Sequence, residues 1–339
     1  MIAALVLSIA ACGDKTPDAP DKGNTTVDVP GIVTLGQYTG LTVQASKYEV
    51  GDEEFSMIVD QFFAEEASAL SWNKEAENGD TCIIDFVGKI DGIAFDGGTA
   101  EDYSLVLGSH SFIDGFEDKM IGMKVGETRV LDLAFPDSYH NADLAGKPCE
   151  FTVTVKKVIP TINDANVAAL QSPKYSTQAE YEAYVKTVVD EYYENDYRTS
   201  IVAGLLQQII ALTEWEEMPT DLLDIKKAEV SEAYSEQAGA MGVDVATYLT
   251  YYGTTYDAMA ESLLKNDLIF DAIAAAEGFT ATDEELDAYV NDVLKEAEDT
   301  TLTPEDIYGE EGREEYKSML IKQKVFDFLI ENNTVTGAE

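Results

Sequence analysis

The sequence predicts an α+β protein in which a β-rich block, residues 79–160, lies among helical segments. Three runs in this block, 81–87, 129–135 and 151–159, are rich in β-branched and aromatic residues and are bounded by Gly, Asp or Pro, which is typical of strands. After the block, apolar residues recur at helical spacing behind helix-capping signals. We therefore predict an antiparallel sheet of four or five strands wrapped around one short helix, followed by an all-α region.

The length and charge of the chain limit its possible functions. Its 339 residues are enough for about two domains, and a hydrophobic content of 45% indicates a folded protein. The net charge of −43 excludes the usual electrostatic attraction to nucleic acid, which requires Lys and Arg against phosphate. Most of the charge falls on residues 161–339, where it either keeps a solvated surface soluble or attracts a cationic partner.

The N-terminal residues predict a targeting segment. Residues 2–11 form an uncharged apolar run that is too short to span a bilayer but suits the hydrophobic part of a secretory signal. The run ends in Ile9-Ala10-Ala11-Cys12-Gly13, which resembles a bacterial lipobox, so we expect a lipoprotein signal peptide at residues 1–12 with Cys12 lipidated. No Lys or Arg precedes Ile2, so we expect the natural start to lie upstream. A cytoplasmic protein with an incidental cysteine is the alternative.

Residues 13–78 connect this segment to the β-rich block. Residues 13–30 are rich in Pro, Gly, Asp and Thr, which predicts a flexible tether. Residues 31–78 form a lead-in whose first part, around Gly36 and Gly40, indicates two short extended pieces. Its second part predicts a helix that opens at Asp52 and buries one stripe of apolar residues: Phe55, Ile58, Val59, Phe62 and Phe63.

Turn signals divide the β-rich block. Asp91-Gly92 and Asp96-Gly97-Gly98 predict a hairpin in the segment that holds Phe95. A short helix is predicted between Ile113 and Val125. Cys82 and Cys149 each lie in a strand-like run, where they either form a disulfide outside the cytoplasm or, as we favour, remain two buried thiols.

The block carries an ordered series of short motifs: Gly79-Asp80-Thr81, Asp85-Phe86-x-Gly88, Asp91-Gly92-x-x-Phe95-Asp96-Gly97-Gly98, Leu107-Gly108, Phe112-Ile113-x-Gly115-Phe116-Glu117-Asp118, Gly122-x-x-x-Gly126-Glu127, Phe135-Pro136-x-x-Tyr139-His140, Leu144-x-Gly146-Lys147 and Phe151-x-Val153. With these motifs in this order, the block resembles the FK506-binding-protein (FKBP) type of peptidyl-prolyl isomerase, in the short version carried by trigger factor. Residues 135–147 point to the trigger-factor subtype.

This resemblance implies an aromatic cradle that binds a proline ring. In it Phe116 would be the floor, Ile113 the lip and Asp96 the one acidic group beside the pocket. The backbone N–H of Ile113 would hold the carbonyl that precedes the proline. The resemblance implies no cofactor and no metal. The walls would be Phe86, Phe95, Tyr103, Phe112, Tyr139 and Phe151.

Without the family pattern, each of these aromatics would be interpreted as a core residue. The two histidines, His110 and His140, lie in predicted loops and lack the spacing of a metal site. The chain has no GxSxG, Walker A or GxGxxG motif, so hydrolase and nucleotide-binding functions have no support.

The region 161–335 is predicted to be helical throughout. Capping boxes pair Thr177 with Glu180 and Thr282 with Glu285, while Thr254 with Asp257 is predicted to cap the helix that ends at Gly278. Two further helices are predicted after Pro219 and Pro304. The region resembles the C-terminal chaperone domain of trigger factor, which implies an all-α domain of the trigger-factor or SurA-like kind. The shared segments are Met218-Pro219, Tyr248-Leu249, Ala276-Glu277-Gly278 and Thr282-Asp283-Glu284-Glu285.

Together the resemblances imply a peptidyl-prolyl isomerase and chaperone. With the lipobox, they predict a protein anchored by lipid to the outer face of the cell membrane, whose partners are unfolded or nascent exported polypeptides with X-Pro bonds. We expect neither nucleic-acid binding nor ribosome docking, because a signal and tether stand where trigger factor has its ribosome-binding domain. A non-catalytic holdase that only grips proline-containing segments is the alternative, and an envelope scaffold or solute-binding lipoprotein is a weaker one.

Overall fold

The computed structural model describes residues 32–296 and 302–337. The predicted signal peptide, Cys12 and the tether lie outside the described residues. The described chain divides into two compact units, one of residues 49–191 and one that combines residues 32–48 with residues after 191. Both strands and helices are present, and the predicted α+β class is confirmed.

The secondary-structure elements follow one another in an order that places most strands before most helices. The strands are β1 (Val33–Thr34), β2 (Thr42–Gln44), β3 (Thr81–Ile90), β4 (Ile93–Val106), β5 (Thr128–Ala134), β6 (Pro148–Ile159), β7 (Glu214–Trp215) and β8 (Thr334–Thr336). The described helices are α1 (Asp52–Ser68), α2 (Phe116–Met120), α3 (Asp164–Ala169), α4 (Gln178–Leu212), α5 (Thr220–Ala240), α6 (Val245–Tyr251), α7 (Tyr256–Glu277), α8 (Asp283–Glu296) and α9 (Pro304–Glu331).

The unit of residues 49–191 is built on a four-stranded sheet with the order β4-β3-β6-β5. All neighbouring strands are antiparallel. One face of β3 and of β6 is buried against α2, as the alternation of buried and half-buried residues along both strands requires. The core between sheet and helix includes Ile84, Leu105, Phe116, Met120 and Val153.

The hairpin between β3 and β4 turns at Asp91-Gly92. Ile90 pairs with Ile93, and the two turn residues have φ values of 51° and 79°, as a two-residue turn with positive φ requires. The prediction of a second turn at Asp96-Gly97-Gly98 is wrong, because β4 continues through these residues to Val106. The register shifts here: Lys89 pairs with Ala94 and Val87 with Thr99. Residues 95–98 are therefore a bulge in one long strand.

The buried carboxylate of Asp80 joins the two ends of the β-rich block. It accepts hydrogen bonds from the N–H of Glu77 at 2.8 Å and the N–H of Thr161 at 3.3 Å, and it pairs with Lys74 at 2.8 Å. Because a buried carboxylate is stable only when it is paired and hydrogen-bonded, these contacts explain how Asp80 is accommodated. They hold the chain that enters β3 beside the chain that leaves β6.

Helix α1 packs one face into the same unit. Val59, Phe63 and Ala67 are its buried residues, and Phe63 meets Tyr181 edge to face with ring centroids 5.9 Å apart. The Tyr181 hydroxyl donates to Glu66 at 3.2 Å. The predicted stripe is confirmed at Val59 and Phe63. Its other members, Phe55, Ile58 and Phe62, are only half-buried.

The second unit is helical and includes the first described residues of the chain. Strand β2 pairs with β8 in parallel, and β1 pairs with β7 antiparallel. The Asn333 side chain accepts the N–H of Leu41 at 2.7 Å. The core packs β2 against α4, α7 and α9, and includes Val43, Leu205, Ile209, Ile269, Ile273, Val325 and Leu329.

Helix caps agree with the sequence at two places and differ at one. Thr177 with Glu180 and Thr282 with Glu285 form reciprocal hydrogen bonds, so both predicted capping boxes are confirmed. The cap of α7 is Thr255, whose hydroxyl accepts the N–H of Ala258 at 3.2 Å. The prediction of Thr254 was wrong by one residue. Helix α6, which lies between α5 and α7, was not predicted.

Candidate functional site

Eight aromatic side chains meet above α2 and the buried face of the sheet. We call them the aromatic cluster; they are Phe86, Phe95, Tyr103, Phe112, Phe116, Phe135, Tyr139 and Phe151. Each ring lies close to at least one other: Phe86 is 5.3 Å from Phe112 and 6.1 Å from Phe151, and Phe95 is 5.7 Å from Phe151, between centroids. Seven of the eight were predicted from the sequence as cradle residues.

The eighth member, Phe135, was missed as a site residue. Its ring lies 5.5 Å from Phe95 and 4.7 Å from Tyr139, and it links Tyr139 to the rest of the cluster. Its position directly after β5, followed by Pro136, was the available signal. In the sequence, this pair is part of the family pattern.

The side chains of the aromatic cluster range from fully buried to exposed. Phe116 is fully buried, Phe86 and Phe151 are buried, and Tyr103 is 39% exposed. Phe95, Phe112, Ile113 and Tyr139 are half-buried and pack against the core. The structure thus brings together an apolar, aromatic surface with a closed base and an accessible side.

The Phe95 ring occupies space that two glycines leave free. A Cβ atom on Gly88 would lie 2.6 Å from the Phe151 ring and 2.7 Å from Phe95, and one on Gly98 would lie 2.6 Å from Phe95. Such contacts are too short, so a side chain at either position would force one of the neighbouring rings to move. Phe95 belongs to the bulge at residues 95–98, and its ring fills this gap.

The loop between β4 and α2 is held by the side chain of Glu117. Its carboxylate is buried and accepts the N–H groups of Gly108 at 2.7 Å, His110 at 3.1 Å and Phe112 at 3.2 Å. Burial alone would raise the pKa of Glu117, but these backbone donors outweigh it and hold the pKa below its usual value. The loop carries Phe112 and Ile113 and then enters α2 through Gly115, which has a φ of 84°.

Charged groups lie at the edge of the cluster. Asp96, the predicted acidic group, follows Phe95 and is exposed. Asp85, next to Phe86, accepts the N–H of Asp102 at 2.8 Å and pairs with Lys156 at 3.4 Å. Lys156 also pairs with Asp102, and these carboxylates raise the pKa of Lys156. Asp85 is thus engaged in an ion-pair network, whereas Asp96 is an exposed residue next to Phe95 in the chain.

Groups for covalent or metal chemistry are not gathered in the described part of the chain. Among residues 32–296 and 302–337, no cluster of His, Cys, Asp and Glu could hold a metal ion. His110 and His140 are exposed, and Cys82 and Cys149 are buried free thiols, as favoured from the sequence. The arrangement at the cluster is suited to binding an apolar ring.

Comparison with known proteins agrees with this geometry. Residues 73–164 match the FKBP-type peptidyl-prolyl cis-trans isomerase family, and residues 177–331 match the C-terminus of bacterial trigger factor. Trigger factor of Carboxydothermus hydrogenoformans is 32% identical over 90% of this chain and 74% of its own length. The chain belongs to the trigger factor family.

Other comparisons lead to the same family. Trigger factor of Streptococcus uberis is 36% identical over 78% of this chain and 64% of its own length. A solved trigger factor chaperone matches 88% of this chain and 72% of that chain at 19% identity, with a TM-score of 0.35, which is too low to support an argument. As a trigger factor family member, the chain is a peptidyl-prolyl isomerase joined to a chaperone domain.

Proposed function

We propose that the aromatic cluster is the proline-binding cradle of this isomerase. Phe116 forms its floor, Ile113 its lip, and Asp96 the acidic group at its edge. The walls are Phe86, Phe95, Tyr103, Phe112, Tyr139, Phe151 and, in addition to the residues predicted from the sequence, Phe135. The observation that carries this proposal is the continuous set of ring contacts from Tyr103 to Tyr139 around a buried floor.

The proposed cradle accounts for catalysis without bond chemistry. An X-Pro bond isomerises over a barrier of about 20 kcal/mol, because the amide loses its resonance as it twists. The twisted amide is less dipolar than the planar one, so an apolar aromatic surface that excludes water favours it. The protein therefore needs to bind the proline ring, exclude water and hold one end of the amide.

The backbone at Ile113 is arranged to hold the carbonyl before the proline. The C=O of Ile113 accepts the N–H of Phe116 at 3.1 Å, which fixes the peptide at the lip. Among the hydrogen bonds between described residues, none uses the N–H of Ile113. That donor is available for a substrate carbonyl, whereas the neighbouring N–H of Phe112 is already bound to Glu117.

A peptide isomerisation assay on the full chain tests the cradle. Tyr139→Ala removes a half-buried wall residue and is expected to lower kcat/KM by about tenfold or more, since one aromatic contact is worth about 1 kcal/mol and the wall also excludes water. Tyr251→Ala, at a tyrosine in α6 that is 67% exposed, is the control and should leave kcat/KM unchanged. Equal activities of wild type and Tyr139→Ala would contradict the assignment of the aromatic cluster as the proline-binding cradle.

A holdase that grips proline-containing segments without catalysis is the second hypothesis. It draws support from residues 177–331, which match the C-terminus of bacterial trigger factor. Tyr139→Ala distinguishes the two functions: the variant should no longer accelerate proline-limited refolding but should still suppress aggregation. If the wild type suppresses aggregation yet does not accelerate refolding at micromolar concentration, the holdase function is the correct one.

We also propose that the protein acts on exported polypeptides at the outer face of the membrane. Support comes from residues 9–13, which resemble a lipobox, and from the composition of residues 13–30. None of the described helices is both long and apolar enough to cross a bilayer. Cys12→Ser should move the protein from the membrane fraction to the soluble fraction and abolish incorporation of labelled fatty acid. Unchanged fractionation would contradict the anchor.

A further inference from the structure

The loop of residues 107–113 includes two residues with positive φ, of which only one is glycine. Gly108 has a φ of 93°, and His110, which is not glycine, has a φ of 56°. A non-glycine residue in the left-handed region is disfavoured and persists only where surrounding contacts hold it. The contacts that hold this loop come mainly from one side chain, Glu117.

Backbone N–H groups of the loop converge on the Glu117 carboxylate: those of Gly108, His110 and Phe112 lie within 3.2 Å, and that of Ser111 also helps to lower its pKa. Oε2 accepts from Gly108 and His110, and Oε1 accepts from Phe112. The hydroxyl of Ser109 also lies 3.5 Å from Oε1. Since hydrogen bonds to an ionised acceptor are stronger and shorter than neutral ones, a single buried carboxylate fixes the loop at several points.

The last of these donors stands directly before the proposed lip. The N–H of Phe112 binds Glu117, and the next N–H along the chain belongs to Ile113. The Phe112 ring is held from its other side by Phe116, at 4.2 Å between centroids. The backbone N–H and the ring of Phe112 are therefore both held by residues of α2. The N–H of the next residue, Ile113, consequently has little freedom to change its direction.

We propose that Glu117 is a positioning residue for the isomerase reaction: its carboxylate sets the backbone of residues 108–112 so that the N–H of Ile113 points at the substrate carbonyl. This inference rests on the proposed cradle. Glu117 itself is buried, and its carboxylate is occupied by the backbone of the loop. Its effect on catalysis passes through Phe112 and Ile113.

Glu117→Gln tests the proposal, because an amide keeps the size of the side chain but replaces one acceptor oxygen by a donor group. At least one loop N–H then faces an N–H₂ group. We expect kcat/KM to fall about tenfold, the loss that one charge-assisted hydrogen bond supports. We also expect the backbone ¹⁵N and ¹H shifts of residues 108–113 to change, with the sheet unchanged. Wild-type kcat/KM in folded Glu117→Gln overturns the proposal, and so does a loss of activity without loop shifts.

Glu127→Gln is the matched control. Glu127 also accepts a backbone N–H, that of Lys124 at 3.1 Å, and its pKa is also lowered, first by the hydrogen bond from Arg129. It lies in the turn before β5 and does not contact the loop. Glu127→Gln is expected to keep kcat/KM within about twofold of wild type, as surface substitutions usually do. A loss equal to that of Glu117→Gln would overturn the specific role of Glu117.

Hydrogen exchange on the wild-type full chain keeps the test independent of how well a variant folds. The amides of Gly108, His110 and Phe112 should be protected, whereas that of Ile113 should exchange faster. Rapid exchange of all four amides would overturn the proposal. If the wild type does not isomerise peptides at all, the proposed cradle fails, while protection of these three amides still shows that Glu117 fixes the loop.

Discussion

The Phe112 ring stacks on the Phe116 ring, with 4.2 Å between centroids and 25° between planes. Phe116 is fully buried and Phe112 is half-buried, so the stack joins the core to the accessible side of the aromatic cluster. A change in the floor should therefore alter the position of a wall residue. Packing and site geometry are linked at this pair.

Phe116→Leu is the first prediction that follows. Leucine keeps an apolar side chain of smaller volume but loses the stack, so we expect a loss of about 1–2 kcal/mol in the free energy of unfolding. The rate of peptide isomerisation should fall by about tenfold, since Phe112 loses its support. Urea denaturation and a peptide assay measure the two effects.

Phe63→Leu is the matched control for this change. Phe63 is also buried and meets Tyr181 edge to face, but it lies in α1, outside the cluster. It should lose a similar amount of stability without loss of activity. Equal loss of activity in both variants would show that the rate follows global stability and not the stack.

Gly88→Ala tests the gap that holds Phe95. The added Cβ would lie 2.6 Å from Phe151 and 2.7 Å from Phe95, so one of the rings must move. We expect about 1–3 kcal/mol of lost stability, as is usual for overpacking, together with loss of isomerase activity. Gly239→Ala in α5, where a Cβ meets nothing within 4 Å, should be neutral or slightly stabilising. Full activity in Gly88→Ala would contradict the close packing.

A charge cluster in the helical unit predicts opposite effects of two similar substitutions. Asp267 in α7 pairs with Lys226 at 2.5 Å and Lys322 at 2.7 Å. Burial opposes ionisation of Asp267, but Lys322 and Lys226 outweigh it and lower the pKa. Burial raises the pKa of Asp271, one turn later. Asp267 therefore supports the fold as an anion, whereas ionisation of Asp271 opposes it.

Asp267→Asn should lose about 2–3 kcal/mol at pH 7, because Lys322 and Lys226 then lose the buried carboxylate that they share, although Lys226 keeps its ion pair with Glu229. The contribution of Asp267 is present above its unfolded pKa and disappears as the pH falls through its lowered folded value. Asp271→Asn should be neutral or stabilising at pH 7, because the contribution of Asp271 is lost as the pH rises through its raised value. Urea denaturation at pH 7 distinguishes the variants, and greater destabilisation by Asp271→Asn would refute the assignment.

Cys82 should be unreactive in the folded protein. Burial, the first cause, and the nearby charge of Asp80 raise the pKa of its thiol to about 12. Since the thiolate is the nucleophile, iodoacetamide at pH 8 should label neither Cys82 nor the buried Cys149 until urea is added. Mass spectrometry of the digested protein reads each site separately. Rapid labelling of Cys82 without denaturant would show that the strand opens.

The parts of the fold that depend on local chemistry could be predicted from the sequence. The Asp91-Gly92 turn was predicted because two residues with positive φ between strands require such a pair. The capping box of Thr177 with Glu180 was predicted because its hydrogen bonds join residues three positions apart. Both features are set by neighbours in the chain, so no knowledge of tertiary packing is needed.

The parts that were missed depend on distant contacts. Residues 96–98 carry the same turn signal as Asp91-Gly92, but pairing with β3 continues on both sides, so the signal produces a bulge. Phe135 could not be distinguished from a core residue, because its role follows from the positions of Phe95 and Tyr139. Likewise, Glu117 has no local signal: its partners are determined by how the loop folds back on α2.

The parallel pairing of β2 with β8 has a consequence for the order of folding during synthesis. Thr42 pairs with Thr334, so β2 has to wait for a partner strand that is synthesised much later. The unit of residues 49–191 is continuous in sequence, and all its strand partners have been made long before that. Because distant contacts form slowly, the isomerase unit can be folded while the edge formed by Leu41 and Val43 is still open. Until residues 334–336 leave the ribosome, β2 of this foldase is itself an unpaired strand.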